Sequence, residues 1–89
     1  MSSSPFIRTI EEHMLVRRYS RRTIRSYLYW IRYYIHFHRK AHPKTLGPAQ
    51  VVAFLTFLAV ERRVSAATQA IALNALAYVL RQWAMRRFG

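Results

Sequence analysis

The sequence predicts an all-α domain, a compact bundle of four helices. Apolar residues recur at helical spacing in four separate segments, with no strand-like alternation. Gly and Pro together occupy only five positions, all at segment edges, so little interrupts the segments internally. Hydrophobic residues make up 53% of 89 residues, enough for one core in a single domain spanning residues 1–89 and too few for a second.

The first segment, about Pro5 to Arg18, places Ile7, Ile10 and Met14 on one face. Ser4 before Pro5 predicts one start, and Thr9 with Glu12 is a rival capping box. The second segment begins at Ser20, a Ser cap flanked by Tyr19 and Ile24 at the two positions of a hydrophobic staple. Ile24, Leu28, Ile31 and Ile35, with Tyr27 and Tyr34 beside them, form its apolar stripe. Arg22, Arg25, Ser26, Tyr29, Arg32, Tyr33, His36 and Arg39 form the opposite face. "HPKTLGP" ends this helix, because the residue before Pro43 is pushed out of helical geometry.

Gly47-Pro48 opens the third segment, with Leu46 and Val51 repeating the staple. About Pro48 to Arg62 carries Val51, Phe54, Leu55, Leu58 and Ala59 inward. Phe57 and Val60 extend the apolar surface beyond one core face, read either as a contact with a further domain or a neighbouring protomer or as a thicker local core. "RRVSAATQ" supplies a break and a Ser65 cap, and the fourth helix buries Ala72, Leu76, Val79, Leu80 and Trp83 through to about Arg87. Trp30, Phe37 and Tyr78 read as further core or seam aromatics. No internal repeat is read along the chain.

Fifteen basic residues against three acidic ones leave a net charge of +12, which points to a polyanionic partner. The acids Glu11, Glu12 and Glu61 fall on the first and third segments or their ends, so the second and fourth carry none. A merely solvated helix surface mixes signs, since Glu–Lys pairs one turn apart each add a few tenths of a kcal/mol. A two-helix face of single sign reads instead as the footprint of a nucleic-acid binder, the alternative being a generic basic surface. Arg side chains grip phosphates or read guanine in the major groove. Ser20, Thr23, Ser65 and Thr68 stand at helix starts, where N–H groups and hydroxyls suit phosphate, and Tyr29 and Tyr33 share the basic face.

Several function classes are excluded at this level. No cysteine means no disulfide framework, thiolate metal site or thiol nucleophile, in keeping with a reducing cytoplasm. His36, His38 and His42 lack the Cys or acidic neighbours to complete a metal site, so no metal or other cofactor is expected. Three Glu and two Gly provide neither an acid–base pair nor a phosphate-cradling Gly-rich loop. "MSSSPFIRTIEE" lacks the apolar run of a secretory signal, and the uncharged run from Val64 to Leu80 falls short of a membrane span.

"YSRRTIRSYLYWIRYYIHFH" followed by "HPKTLGPAQVVAFLTFLAVERRVSAATQAIALNAL" resembles the amino-terminal, SAM-like core-binding domain of tyrosine recombinases, and integron integrases most of all. The likeness runs from about Phe6 to Tyr78 and is strongest in Tyr-Ser-x-Arg-Thr-x-x-x-Tyr at Tyr19 to Tyr27, Trp30-Ile31, Phe54-Leu55, Leu58-Ala59 and Val64-Ser65-x-x-Thr68-Gln69. The resemblance implies a SAM-like orthogonal bundle, with room for a fifth, short terminal helix. It implies one half of a C-shaped DNA clamp, with the second and fourth helices toward the major groove. The catalytic half of such an enzyme, with its nucleophilic Tyr, would follow.

Carried over by motif, DNA-facing positions fall on Ser20, Arg22, Thr23, Arg25 and Ser26, and on Ser65, Ala66, Thr68 and Gln69. Tyr27 matches the motif but lies on the apolar stripe, so it is expected beneath the contact surface. With Arg21, Tyr29 and Arg32 these complete the candidate DNA-binding set. The chain ends at Gly89, before any catalytic half, so it is expected to be a piece cut from a longer integrase, or else a natural fragment, and no enzyme by itself. Expected partners are recombination-site DNA, including folded single strands, the catalytic half, and other protomers of a tetramer on DNA, in the bacterial cytoplasm at the nucleoid. Two alternatives use the same basic surface: binding to RNA and binding to an anionic membrane surface.

Overall fold

Each of the four predicted segments is a helix in the computed structural model, which describes residues 5–38 and 47–88, with side chains as far as residue 82. The helices are α1 (Pro5–Val16), α2 (Arg21–Phe37), α3 (Pro48–Val60) and α4 (Ala66–Phe88). No strand occurs among the described residues, which form an all-α bundle as expected. α4 runs unbroken to Phe88, so the fifth terminal helix is absent from the described residues.

α1 starts at Pro5, whose missing N–H is one the first turn leaves unpaired anyway. Thr9 is not a cap, because its Oγ1 donates back to the Pro5 carbonyl at 2.9 Å from inside the helix. The helix closes at Arg18, in the left-handed region at φ 65°. There the Arg18 N–H donates to Leu15 O and the Tyr19 N–H to Met14 O, a Schellman pair that satisfies carbonyls of the last turn. α3 starts at Gly47, whose N–H donates to the Gln50 side chain at 2.7 Å. It ends earlier than the periodicity predicts, with the Arg62 and Val64 N–H groups folding back onto the Phe57 and Leu58 carbonyls. Arg63 is there in the left-handed region at φ 51°.

α2 and α4 form the central pair, with α1 packed on α2 and α3 on α4. Ile7, Ile10 and Met14 of α1 meet Ile24, Leu28, Trp30, Ile31 and Tyr34 of α2 in one core, joined by Val51, Phe54 and Leu58 of α3. α4 contributes Ala72, Ala75, Leu76, Tyr78 and Val79. Ile35, Leu55, Phe57 and Leu80 pack against this core while half-buried.

One expectation for α3 changes, since Ala59 is exposed rather than inward, while Phe57 packs among Phe37, Tyr33 and Phe54 as the thicker local core. Val52 and Val60 are the large residues that α3 leaves in solvent. Ser4, Arg39, His42, the "HPKTL" segment with Leu46, and the Trp83 side chain lie outside the described residues. No described helix is long and apolar enough to cross a membrane.

Candidate nucleic-acid interface

Ser20 has extended backbone at φ −66° and ψ 153°, and its Oγ accepts the Thr23 N–H at 3.1 Å. The same Oγ donates its proton to Thr23 Oγ1 at 2.9 Å. Ser65 repeats both bonds with Thr68, at 3.1 and 3.0 Å. In each pair the Ser proton is thus used inside the cap, and the Thr hydroxyl keeps its own proton for an outside acceptor. The N–H groups of Arg21 and Arg22, and of Ala66 and Ala67, have no partner one helical turn back. Neither first turn carries an acid, so the positive end of each helix dipole is uncompensated.

The likeness extends upstream. Arg17-Arg18-Tyr19-Ser20-x-x-Thr23 and Arg62-Arg63-Val64-Ser65-x-x-Thr68 share one string, in which the second Arg is left-handed and the next residue packs half-buried on the core. A short two-copy motif is therefore present where no internal repeat was expected. All four of its Arg residues are exposed. They were absent from the candidate set, although the repeated Arg-Arg-x-Ser-x-x-Thr string was a signal for them in the sequence itself.

Arg21, Arg22, Arg25, Tyr29 and Arg32 are exposed on α2, and Thr23 and Ser26 are half-buried. On α4, Ser65 and Ala66 are exposed, and Thr68 and Gln69 are half-buried. Gln69 is tied inward: its Nε2 donates to the Leu55 carbonyl at 3.1 Å, fastening α4 to α3. Its Oε1 is buried with no hydrogen-bond partner. Tyr33, expected on the basic face, leans into the aromatic cluster instead, stacked on Trp30 at 5.9 Å and edge-on to Phe54 at 5.4 Å. Tyr27 lies beneath the surface as expected, half-buried against Tyr19 and Tyr78.

A model of the family described as "Phage integrase, N-terminal SAM-like domain" matches residues 6–89. The chain belongs to that family. An integrase/recombinase of Escherichia coli is 45% identical over 69 residues, which cover 78% of this chain and 20% of the relative. An integrase/recombinase of Pseudomonas aeruginosa matches with the same identity and coverage. The matched stretch of this integrase domain therefore spans about a fifth of the length of these curated relatives.

In this integrase domain the two Ser–Thr starts stand apart. Tyr78, well along α4, is the residue that meets Tyr19 beside the α2 start, at 5.6 Å between ring centroids. From Ala66 to Tyr78 the α4 axis advances about 18 Å at 1.5 Å per residue. Between them, an open concavity along α2 is lined by Arg25, Leu28, Tyr29, Arg32, Tyr33, His36 and Phe37, with Glu11 from α1 and Arg62 from the α3–α4 corner. No spacing along the chain could have placed Glu11 and Arg62 there.

The perturbed phenols belong to the interior. Burial pushes Tyr34 up to about 12, and its hydroxyl has no hydrogen-bond partner. Burial also raises Tyr78, against the pull of the Arg17 guanidinium, and its hydroxyl bonds His13 Nδ1 at 3.2 Å. Both shifts disfavour the phenolate, so neither environment activates an oxygen nucleophile. His38 Nε2 donates to the Gln50 carbonyl at 3.0 Å, joining α2 to α3. Among the described residues no three His, Cys, Asp or Glu gather as a metal site would need.

Proposed function

We propose that this domain is the DNA-binding amino-terminal half of a site-specific tyrosine recombinase. It holds one side of recombination-site DNA while a catalytic half cuts and rejoins strands. The observation that carries the reading is the duplicated helix start. Two Arg-Arg-x-Ser-x-x-Thr corners each present unpaired N–H groups, a Thr hydroxyl and two exposed Arg on a surface poor in acids. Helix starts of this kind suit phosphates, and phosphate contacts fix register on a duplex. Arg22, Arg25 and Arg32 on α2 then lie where base edges in a major groove can be read.

The named relatives, both integrase/recombinases, support the assignment to recombination. The likeness of Tyr19 to Tyr27 and Val64 to Gln69 to integron integrases favours cassette-associated sites, folded single strands among them. The catalytic half and neighbouring protomers of a tetramer are the protein partners, and the uncharged α3 surface at Val52 and Val60 is available to them. The site of action is the bacterial nucleoid.

The test is a salt titration of binding to a folded cassette-site hairpin, beside a scrambled duplex and a matched RNA hairpin. With about six phosphates neutralised, log K falls with log salt at a slope near −5. The double variant Arg22→Ala, Arg25→Ala weakens binding and flattens the slope by about 2. A flat salt response in the wild-type chain would refute the clamp, and preference for the RNA would move the function to RNA.

A further inference from the structure

The concavity along α2 has a composition that duplex binding leaves unexplained. A helix enters a major groove by its convex face, where Arg and short polar side chains suffice. Here the surface is instead hollow, with aromatic walls and a cationic rim. Tyr29 is 57% exposed, yet its ring stands edge-on to buried Trp30 at 4.9 Å and 86°. Tyr33 stacks on the same Trp30 at an interplanar angle of 7°, and Phe37 packs on Phe54 and Phe57 behind it. The rings are held by the core before any ligand arrives, so little side-chain freedom is left to lose on binding.

The rim is supplied by Arg25 and Arg32 from α2 and by Arg62 from the α3–α4 corner. Glu11, on the α1 side, is the one carboxylate in the lining, so an anionic ligand group is driven toward the arginines. From Arg25 to His36 the hollow runs about 16 Å along the helix axis, room for a short run of nucleotides. Aromatic faces combined with a positive groove are the chemistry of single-strand binding, because only an unpaired base offers its π-face.

We infer that the α2 concavity is a stacking seat for an unpaired nucleotide, in which Tyr29 holds the base and Arg25, Arg32 and Arg62 hold the adjoining phosphates. The inference rests on the nucleic-acid reading above and adds to it a second mode of contact. At the helix starts the domain grips phosphates regardless of pairing. In the concavity it responds to a base released from the stack.

The experiment compares two twelve-residue strands of equal charge, oligothymidylate and a fully abasic strand, together with a duplex and an oligouridylate of the same length. Affinity for each is measured by fluorescence anisotropy at one salt concentration. Base stacking predicts that oligothymidylate binds roughly fivefold or more tighter than the abasic strand. That ratio collapses toward one in Tyr29→Ala and recovers in Tyr29→Phe, which keeps the ring. Equal affinity for the two strands, or a ratio that Tyr29→Ala leaves unchanged, overturns the seat. Salt-sensitive duplex binding without the base preference overturns the seat alone. Absence of salt-sensitive binding to every probe overturns both the seat and the reading beneath it. The oligouridylate arm tells whether the seat distinguishes DNA from RNA.

Discussion

Replacing Arg18 and Arg63 by glycine should stabilise the domain and, if the proposed function holds, weaken binding to nucleic acid. Both residues hold left-handed backbone, at φ 65° and 51°, a conformation costing an ordinary L-residue roughly 1–2 kcal/mol. Glycine adopts it freely but loses more chain entropy on folding, which offsets about 0.5–1 kcal/mol. The net gain is roughly 0.5–1 kcal/mol at each position. The two corners belong to different connections, so the effects should add to about 1–2 kcal/mol. For a domain of this size each kcal/mol raises Tm by about 4–8 °C, and urea denaturation should show a midpoint higher by roughly 1 M. The same double variant removes two cations next to Ser20 and Ser65, so the slope of log K against log salt should flatten by about 2. Loss of stability would refute the backbone argument. Unchanged salt dependence would show that the corners do not meet phosphate.

Ser20→Ala and Ser65→Ala each delete an oxygen that accepts a first-turn N–H, and each should cost about 1 kcal/mol in denaturant unfolding. A loss at one cap only would mean the two starts are not equivalent. Tyr34→Phe removes a buried hydroxyl that has no partner, so the variant should equal or exceed the parent by about 1 kcal/mol at neutral pH. Because burial raises the folded phenol to about 12 while the unfolded one ionises near 10, the parent's stability is complete below pH 10 and falls as pH rises toward 12. Tyr34→Phe should flatten that decline, and an identical alkaline profile in both proteins would refute the assignment to Tyr34.

The features legible in the sequence were those decided within one helical turn or along one helical face. Ser20 and Ser65 were readable as caps because a Ser side chain reaches an N–H three residues on, whatever the rest of the chain does. Ile7, Ile10 and Met14, or Ile24, Leu28 and Ile31, were readable as core because their 3.6-residue spacing commits one face to burial. The acid-free second and fourth helices needed only counting.

What the sequence left open was decided by neighbours distant along the chain. Tyr29 and Tyr33 share the polar face by periodicity, but Trp30 and the α3 phenylalanines draw Tyr33 inward and leave Tyr29 in solvent. Ala59 turned outward and Phe57 inward because an almost uncharged helix has no polar face to orient it, so packing on α4 and the α2 aromatics chose. Nothing in the letters ties Gln69 to α3, and the bond from its Nε2 to the Leu55 carbonyl exists only because the two helices pack together. The Arg-Arg-x-Ser-x-x-Thr string was present twice in the letters. Its left-handed arginines, and the hollow that brings Arg62 and Glu11 to α2, exist only once the helices have packed, because backbone turns and concave surfaces are properties of several elements together.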